Sequence, residues 1–235
     1  MPMPTADAPY AVRRRSPLRR LVGLTLMVVL SFVLPSWGLV LGMRWLNPST
    51  TWLMMREPPQ RDIARQWVPL DCISPHLVRA VIAAEDNKFL SHSGFDWEQI
   101  QLAWQANQSG KRLRGASTIS QQTAKNLCLW PGRTWLRKGL EAYFTMLIEV
   151  CWSKQRIMEV YLNIIEMGPG IYGAHQAARH HFGCEPHRLS AHQAAMQAAV
   201  LPDPKRRNPK RPGDYTRRYQ QTILQKMALQ NVKWP

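Results

Sequence analysis

From Leu21 to Met43 the chain runs for 23 positions without a charged side chain. A helix rises about 1.5 Å per residue, so roughly 20 apolar residues cross the hydrocarbon core of a bilayer. Pro35 lies inside the run, and membrane helices tolerate proline. Arg13, Arg14, Arg15, Arg19 and Arg20 precede the run, with Asp7 alone opposing them. An excess of arginine marks the cytoplasmic side of a span, which places the N-terminus in the cytoplasm and the remainder outside. A cleaved signal peptide would need a shorter apolar core and a small-residue cleavage site. Here the run is long and no Ala-x-Ala follows it, so we read a retained single-pass anchor.

The whole chain is 235 residues with 31 basic and 15 acidic side chains. Taking away the five arginines and one aspartate of positions 1–43 leaves 26 basic and 14 acidic, a net charge of +12 on the exported part. DNA is a poor partner outside the cytoplasmic membrane. Anionic head groups or a diphosphate-bearing substrate suit that charge better, although a solvated basic surface gives the same count. Hydrophobic residues make up 45% of the chain, enough to build a core, which excludes global disorder. Cys72, Cys128, Cys151 and Cys184 are too few and too scattered for a disulfide framework. They read as small buried residues, with any pairing left open.

Residues 1–20 read as a basic cytoplasmic tail, 21–43 as the anchor, 44–73 as a Pro- and Trp-rich connector, and 74–235 as the main folded domain. Trp45, Trp52, Leu53, Met54 and Met55 of the connector are candidates for the lipid interface. Beyond it the pattern turns helical, with helices predicted near 75–86, 97–107, 117–128, 134–152, 154–166, 171–181, 190–201 and 214–230. Ser74 before Pro75 is a helix start. Thr118 with Gln121 and Ser190 with Gln193 have capping-box spacing. No long alternating strand pattern occurs, and the fold class is mainly α.

Four blocks carry residues suited to chemistry. In the first, Val78, Val81 and Ile82 make an apolar stripe that Glu85 continues. A carboxylate on a core-facing stripe, near the negative end of a helix, has its ionisation disfavoured, which tunes it towards general acid–base work. The alternative is a frayed helix end with Glu85 in solvent or paired with Lys88. His92 reads as a loop hydrogen-bonder and Gly94 as a turn.

In the second block, Gly115-Ala116-Ser117 runs into a capped helix whose free N–H groups suit an anion. Thr118, Gln122 and Lys125 share one face there. The other reading is an ordinary capped helix with a polar side. In the third, Arg137 and Glu141 stand four apart. They form either a surface ion pair worth about 0.3–0.5 kcal/mol or a second carboxylate facing the first, with Arg133 nearby for an anion. In the fourth, Lys154 to Asn163 is followed by Gly168, Gly173, Ala177 and Ala178, small residues for close packing. Lys205, Arg206, Arg207, Lys210 and Arg211 form a basic run read as solvated or facing lipid head groups. His175, His180, His181, His187 and His192 match no zinc spacing, and the His180–His181 pair reads as helix surface.

Taken in order, these blocks resemble the peptidoglycan glycosyltransferase family, shared by monofunctional biosynthetic transglycosylases and the N-terminal domains of class A penicillin-binding proteins. The matching residues are Glu85-Asp86-x-x-Phe89-x-x-His92-x-Gly94-Phe95-Asp96 and Gly115-Ala116-Ser117-Thr118-Ile119-Ser120-Gln121-Gln122-x-x-Lys125-Asn126. Then come Arg137-Lys138-x-x-Glu141 and Lys154-x-x-Ile157-x-x-x-Tyr161-Leu162-Asn163 with Gly168. The resemblance covers roughly residues 70–212, and the short chain is similar to the monofunctional branch.

The resemblance implies a lysozyme-like, mainly α domain acting on lipid II, an undecaprenyl-diphosphate-linked disaccharide pentapeptide. Glu85 would be the base on the acceptor 4-hydroxyl, and Glu141 would support the donor site. Lys125 and Arg133 would hold the diphosphate. Ser117, Thr118, Gln121, Gln122 and Asn126 would line the cleft, with Arg137 and Lys138 also binding substrate. It implies a divalent cation, Mg2+ or Mn2+, at the diphosphate, with no protein metal ligand assigned and no organic cofactor. The implied partners are the growing lipid-linked glycan, membrane lipids and other cell-wall or division proteins; the exported position already argues against nucleic acid. The implied location is the inner membrane with the domain in the periplasm.

Trp97, Ile100 and Trp104, followed by Lys111, Arg112 and Arg114, would make a lipid-dipping flap or an ordinary amphipathic core helix. Two departures stand out: Ala116 where relatives have glycine, and Gly139 where many carry a basic residue. A lysozyme-like cleaving enzyme and a non-enzymatic scaffold remain the competing classes. Lys125 and Arg133 have no evident task in hydrolysis.

Overall fold

The computed structural model describes residues 17–56, 64–108, 117–132, 134–230 and 232–234. The chain divides into two compact bodies, residues 1–39 and 40–235. The first consists of most of helix α1, Pro17–Gly42, and Leu18–Gly42 is long and apolar enough to cross a membrane. Its side chains Leu21, Leu24, Met27, Val28 and Leu34 are exposed, as expected of a helix whose solvent is lipid rather than protein.

The second body is built of helices, in agreement with the sequence reading. After α1 come α2 (Trp52–Arg56), α3 (Pro75–Glu85), α4 (Trp97–Gln108), α5 (Ile119–Cys128), α6 (Trp135–Cys151) and α7 (Lys154–Ile164). A small hairpin follows, β1 (Glu166–Gly168) paired antiparallel with β2 (Ile171–Tyr172). Then come α8 (Gly173–Ala177), continuing as a π-helical turn over Ala178–Phe182, and α9 (Ala191–Val200) and α10 (Asp214–Leu229). The hairpin fills the break between the predicted helices 154–166 and 171–181 and takes one residue from the end of the first and two from the start of the second. Two- and three-residue strands are too short to leave an alternating pattern.

The caps explain where the helices begin. Ser74 accepts from the His76 N–H with Pro75 in the first turn, and both capping boxes form, Thr118 with Gln121 and Ser190 with Gln193. The core is dominated by α7 and α9, where Ile157, Met158, Tyr161, Leu162, Ala194, Ala195, Ala198 and Ala199 are fully enclosed. The alanines of α9 let it pack closely against α3 and α10, while α5 packs on α6 and α7. Gly173 is required where α8 starts. Its φ is +78°, and a Cβ there would lie 2.7 Å from the Asn163 carbonyl oxygen, a conformation and approach that glycine alone meets without strain.

Within the second body, Arg156 of α7 ties down the segment that follows α1. Its guanidinium donates to the Met43 and Leu46 carbonyls at 2.9 and 2.8 Å, and to Asn47 Oδ1 at 2.9 Å. It also stacks over Trp67. The connector expectation needs correction in part: Trp45, Trp52 and Met55 are exposed, but Met54 is buried and Leu53 packs on the core. The cysteine expectation fails at Cys72, which is exposed, and all four thiols are free.

Candidate active site

Glu85 is the last residue of α3, and Val78, Val81 and Ile82 of the same face are buried. The side chain is half-buried rather than in open solvent. It is not paired with Lys88, which pairs with Glu98 instead. Gln122 Nε2 donates to Glu85 Oε2 at 2.7 Å, and the Tyr161 hydroxyl donates to Gln122 Oε1 at 3.2 Å. The hydroxyl occupies the amide oxygen and thereby turns the amide N–H2 towards the carboxylate.

Burial pushes the Glu85 carboxyl above the ordinary carboxylate range, and Asp86 adds to the rise. The Gln122 hydrogen bond and the positive charges of Lys125 and Arg207 act in the opposite direction. Lys125, one helical turn beyond Gln122, is lowered, again first by burial, with Arg137 and Lys138 adding to the fall and Glu141 and Glu85 opposing it. Both groups shift away from their charged forms, so desolvation outweighs their mutual attraction.

The first block is fastened to the second through Asp86. Its Oδ2 accepts the Ile119 N–H at 3.0 Å, and His92 Nε2 lies 3.0 Å from the same carboxylate. The Gly94 N–H donates to His92 Nδ1 at 3.1 Å, which leaves Nε2 as the ring's donor. Thr118 Oγ1 donates to the Gly94 carbonyl at 2.7 Å. These bonds fix the start of α5, and with it Gln122 and Lys125, against the end of α3.

On the other side of Lys125, α6 brings a cationic cluster. Glu141 is buried and receives Arg137 Nη1 at 2.9 Å and the Lys138 ammonium. The pair is therefore not the surface ion pair of the simpler expectation, because α5 covers this face of α6. A cavity of about 230 Å³ is lined by Lys125, Asn126, Trp130, Gly132 and Arg137. Among the described residues, two buried donors of its lining, Asn126 Nδ2 and Arg137 Nε, have no hydrogen-bond partner. Unsatisfied buried donors are costly, and an anion with several acceptor oxygens in this cavity would satisfy them.

Not every predicted residue meets in the cleft. Thr118 and Gln121 are buried with their side chains committed to the capping box, so they position the helix and do not line the cleft. Ser117 is exposed at the entrance to α5. Arg133, Gly115, Ala116, Lys111, Arg112 and Arg114 lie outside the described residues. Gly139 faces open space, so a longer side chain would fit there. Trp97 and Trp104 of α4 are exposed and Ala103 is its sole buried residue, which rules out the core-helix reading of that segment. His181 is buried, contrary to its reading as surface, because the π-helical turn rotates it towards Met167.

Two residues escaped the sequence reading. Arg207, taken as part of a solvated basic run, acts on Glu85. Tyr219 of α10 donates its hydroxyl to the Ala84 carbonyl at 2.9 Å, beside Glu85. The signal that could have found them is the spacing of Tyr215, Tyr219 and Ile223 on one face of α10. Among the described residues no group of three or more His, Cys, Asp or Glu side chains could hold a metal ion.

Comparison with known proteins fits this arrangement. The transglycosylase family model matches residues 53–228. A biosynthetic peptidoglycan transglycosylase of Rhodospirillum centenum is 50% identical over 223 residues, covering 94% of this chain and 92% of the relative. One from Ectopseudomonas mendocina is 51% identical over 221 residues, 91% and 90% of the two chains. One from Caulobacter vibrioides is 53% identical over 173 residues, 73% and 76%. On a family match running from the connector through α10 and identities of this size over nearly full length, the chain belongs to the transglycosylase family.

Proposed function

We propose that this protein is a peptidoglycan glycosyltransferase that polymerises lipid II into glycan strands, with Glu85 as general base. The acceptor 4-hydroxyl oxygen attacks the anomeric carbon of the lipid-linked donor, and its proton passes to Glu85. The bond from that carbon to the diphosphate breaks, its electron pair leaves with undecaprenyl diphosphate, and the configuration inverts. A sugar hydroxyl is a weak nucleophile until a positioned base takes its proton, and a half-buried carboxyl with a raised pKa is suited to that step.

The observation that carries this reading is the cluster in which Gln122 bonds Glu85 and Lys125 acts on it, with Lys125 also lining a cavity that holds two unpartnered buried donors. Negative charge grows on the departing diphosphate, and fixed cations stabilise it there. Lys125 and Arg137 face that cavity, and Glu141 holds Arg137 and Lys138 in place. Ser117 and Asn126 belong to the same proposed substrate surface, and Arg133 is proposed as a diphosphate ligand from the sequence resemblance alone. Among the described residues no protein cage for a divalent cation forms, and Glu141 is already engaged by two cations. The cationic side chains contribute to the neutralisation, and a divalent cation, Mg2+ or Mn2+, carried by the diphosphate itself would add to it.

We also place the protein in the inner membrane, with the N-terminus cytoplasmic and the domain periplasmic. The arginines before the apolar helix and a substrate tethered to the same bilayer support this. Membrane lipids and other cell-wall proteins are its proposed company. The test is incubation of the purified full-length protein with lipid II and, separately, with intact sacculi. Polymeric glycan from lipid II and no soluble fragments from sacculi is the expected result. Fragment release without polymer would replace this reading with a cleaving enzyme.

A further inference from the structure

Glu85 is approached by positive charge from two separate flanks. Lys125 comes from α5 and shares its surroundings with Arg137, Lys138 and Glu141 of α6. Arg207 comes from the loop between α9 and α10, the two helices that pack on α3, and it is not among the charges acting on Lys125. The donor-side cluster accounts for the first flank; the second is unassigned.

The second flank has a built geometry. The Arg207 guanidinium donates from Nη1 to the Ala199 carbonyl at 2.9 Å and lies over the Tyr215 ring at 4.8 Å from its centroid. Tyr215 in turn stacks on Tyr219, with ring centroids 6.1 Å apart, and the Tyr219 hydroxyl is bonded to the Ala84 carbonyl. A ladder of one cation and two aromatic rings thus runs from the α9–α10 loop to the residue before the base. Among the described residues Arg207 has no carboxylate partner. Guanidinium has five N–H donors in a rigid fork suited to phosphate oxygens, and Ala199 occupies one of them. Exposed Arg206, Lys210 and Arg211 in the same loop give the approach a positive field.

We propose that Arg207, held on the Tyr215–Tyr219 ladder, binds the diphosphate of the acceptor substrate and so orients the acceptor sugar towards Glu85. A transfer between two lipid-linked diphosphates needs an anion subsite on each side of the base, and this is the second one. The assignment rests on the glycosyltransferase reading above.

The test is steady-state polymerisation of lipid II by the full-length protein in detergent, comparing wild type, Arg207→Gln and Arg207→Lys. Glutamine keeps a donor for Ala199 and removes the charge. It should raise KM about tenfold, the size of one lost charge-assisted hydrogen bond, with kcat changed by less than about threefold. Lysine should recover most of the KM. A second readout separates binding from mere support of the fold. Glu85 is faced by Gln122 and Lys125 from α5, by Asp86, by Tyr161 from α7, by Tyr219 from α10 and by Arg207. Removing the Arg207 charge makes ionisation of Glu85 harder, so the acid limb of the pH–rate profile should move to higher pH in Arg207→Gln and stay in place in Arg207→Lys. An unchanged KM and acid limb in Arg207→Gln, with wild type polymerising normally, would overturn this assignment and leave the enzyme reading standing. Absence of polymer from wild type would instead overturn the reading beneath it.

Discussion

His181 shows what a single buried side chain does to pH dependence. Its Nε2 lies 3.3 Å from the Met167 carbonyl, and burial followed by the charge of His180 lowers its pKa from 6.5 to about 4. A histidine kept neutral by the fold must be protonated on unfolding in acid. The stability it contributes is therefore full above about pH 6.5 and is lost as pH falls towards about 4. Urea midpoints at pH 7 and pH 4.5 should drop less in His181→Gln than in wild type; an equal drop would show that another group governs the acid limb. Glu85 was legible in the sequence because it continues the Val78–Val81–Ile82 stripe. His181 was not, because two adjacent histidines look like helix surface until a π-turn rotates one inward. Arg207 was hidden among prolines and other cations, where sequence gives no direction to a side chain.

At the scale of elements, the entry to α5 decides the geometry of the site. Thr118 caps the helix through the Gln121 N–H and also donates to the Gly94 carbonyl. The same turn offers the Ile119 N–H to Asp86. Losing a threonine cap costs about 0.5–2 kcal/mol and a buried hydrogen bond about 1 kcal/mol more. Thr118→Ala is thus expected to destabilise the domain by about 2 kcal/mol in denaturant unfolding, and Thr118→Ser by much less. Equal stability of all three would mean that α5 is held by packing alone. Helix starts were readable here because capping residues act over three positions of local sequence. The β1–β2 hairpin was not, since its two- and three-residue strands leave no alternating pattern, and the burial of Glu141 was not, since it depends on how α5 packs across α6 rather than on local sequence.

For the whole molecule, the apolar N-terminal helix is consistent with membrane anchoring, and the surplus of basic charge suits the anionic, lipid-linked substrate of the proposed reaction. The family's activity needs a base that is dehydrated enough to be tuned yet open enough to reach a sugar hydroxyl, and half-buried Glu85 meets both conditions. Ionising it in the fold is unfavourable, so its contribution to stability is largest in acid and is lost as pH rises through the raised pKa. Glutamine at that position keeps an acceptor for Gln122 and carries no such penalty. The decisive measurement is lipid II polymerisation by wild type and Glu85→Gln side by side, with thermal unfolding of both. The predicted result is a loss of at least about 100-fold in rate with an unchanged or higher Tm. Near-wild-type polymerisation by a folded Glu85→Gln protein would contradict the assignment of Glu85 as the base.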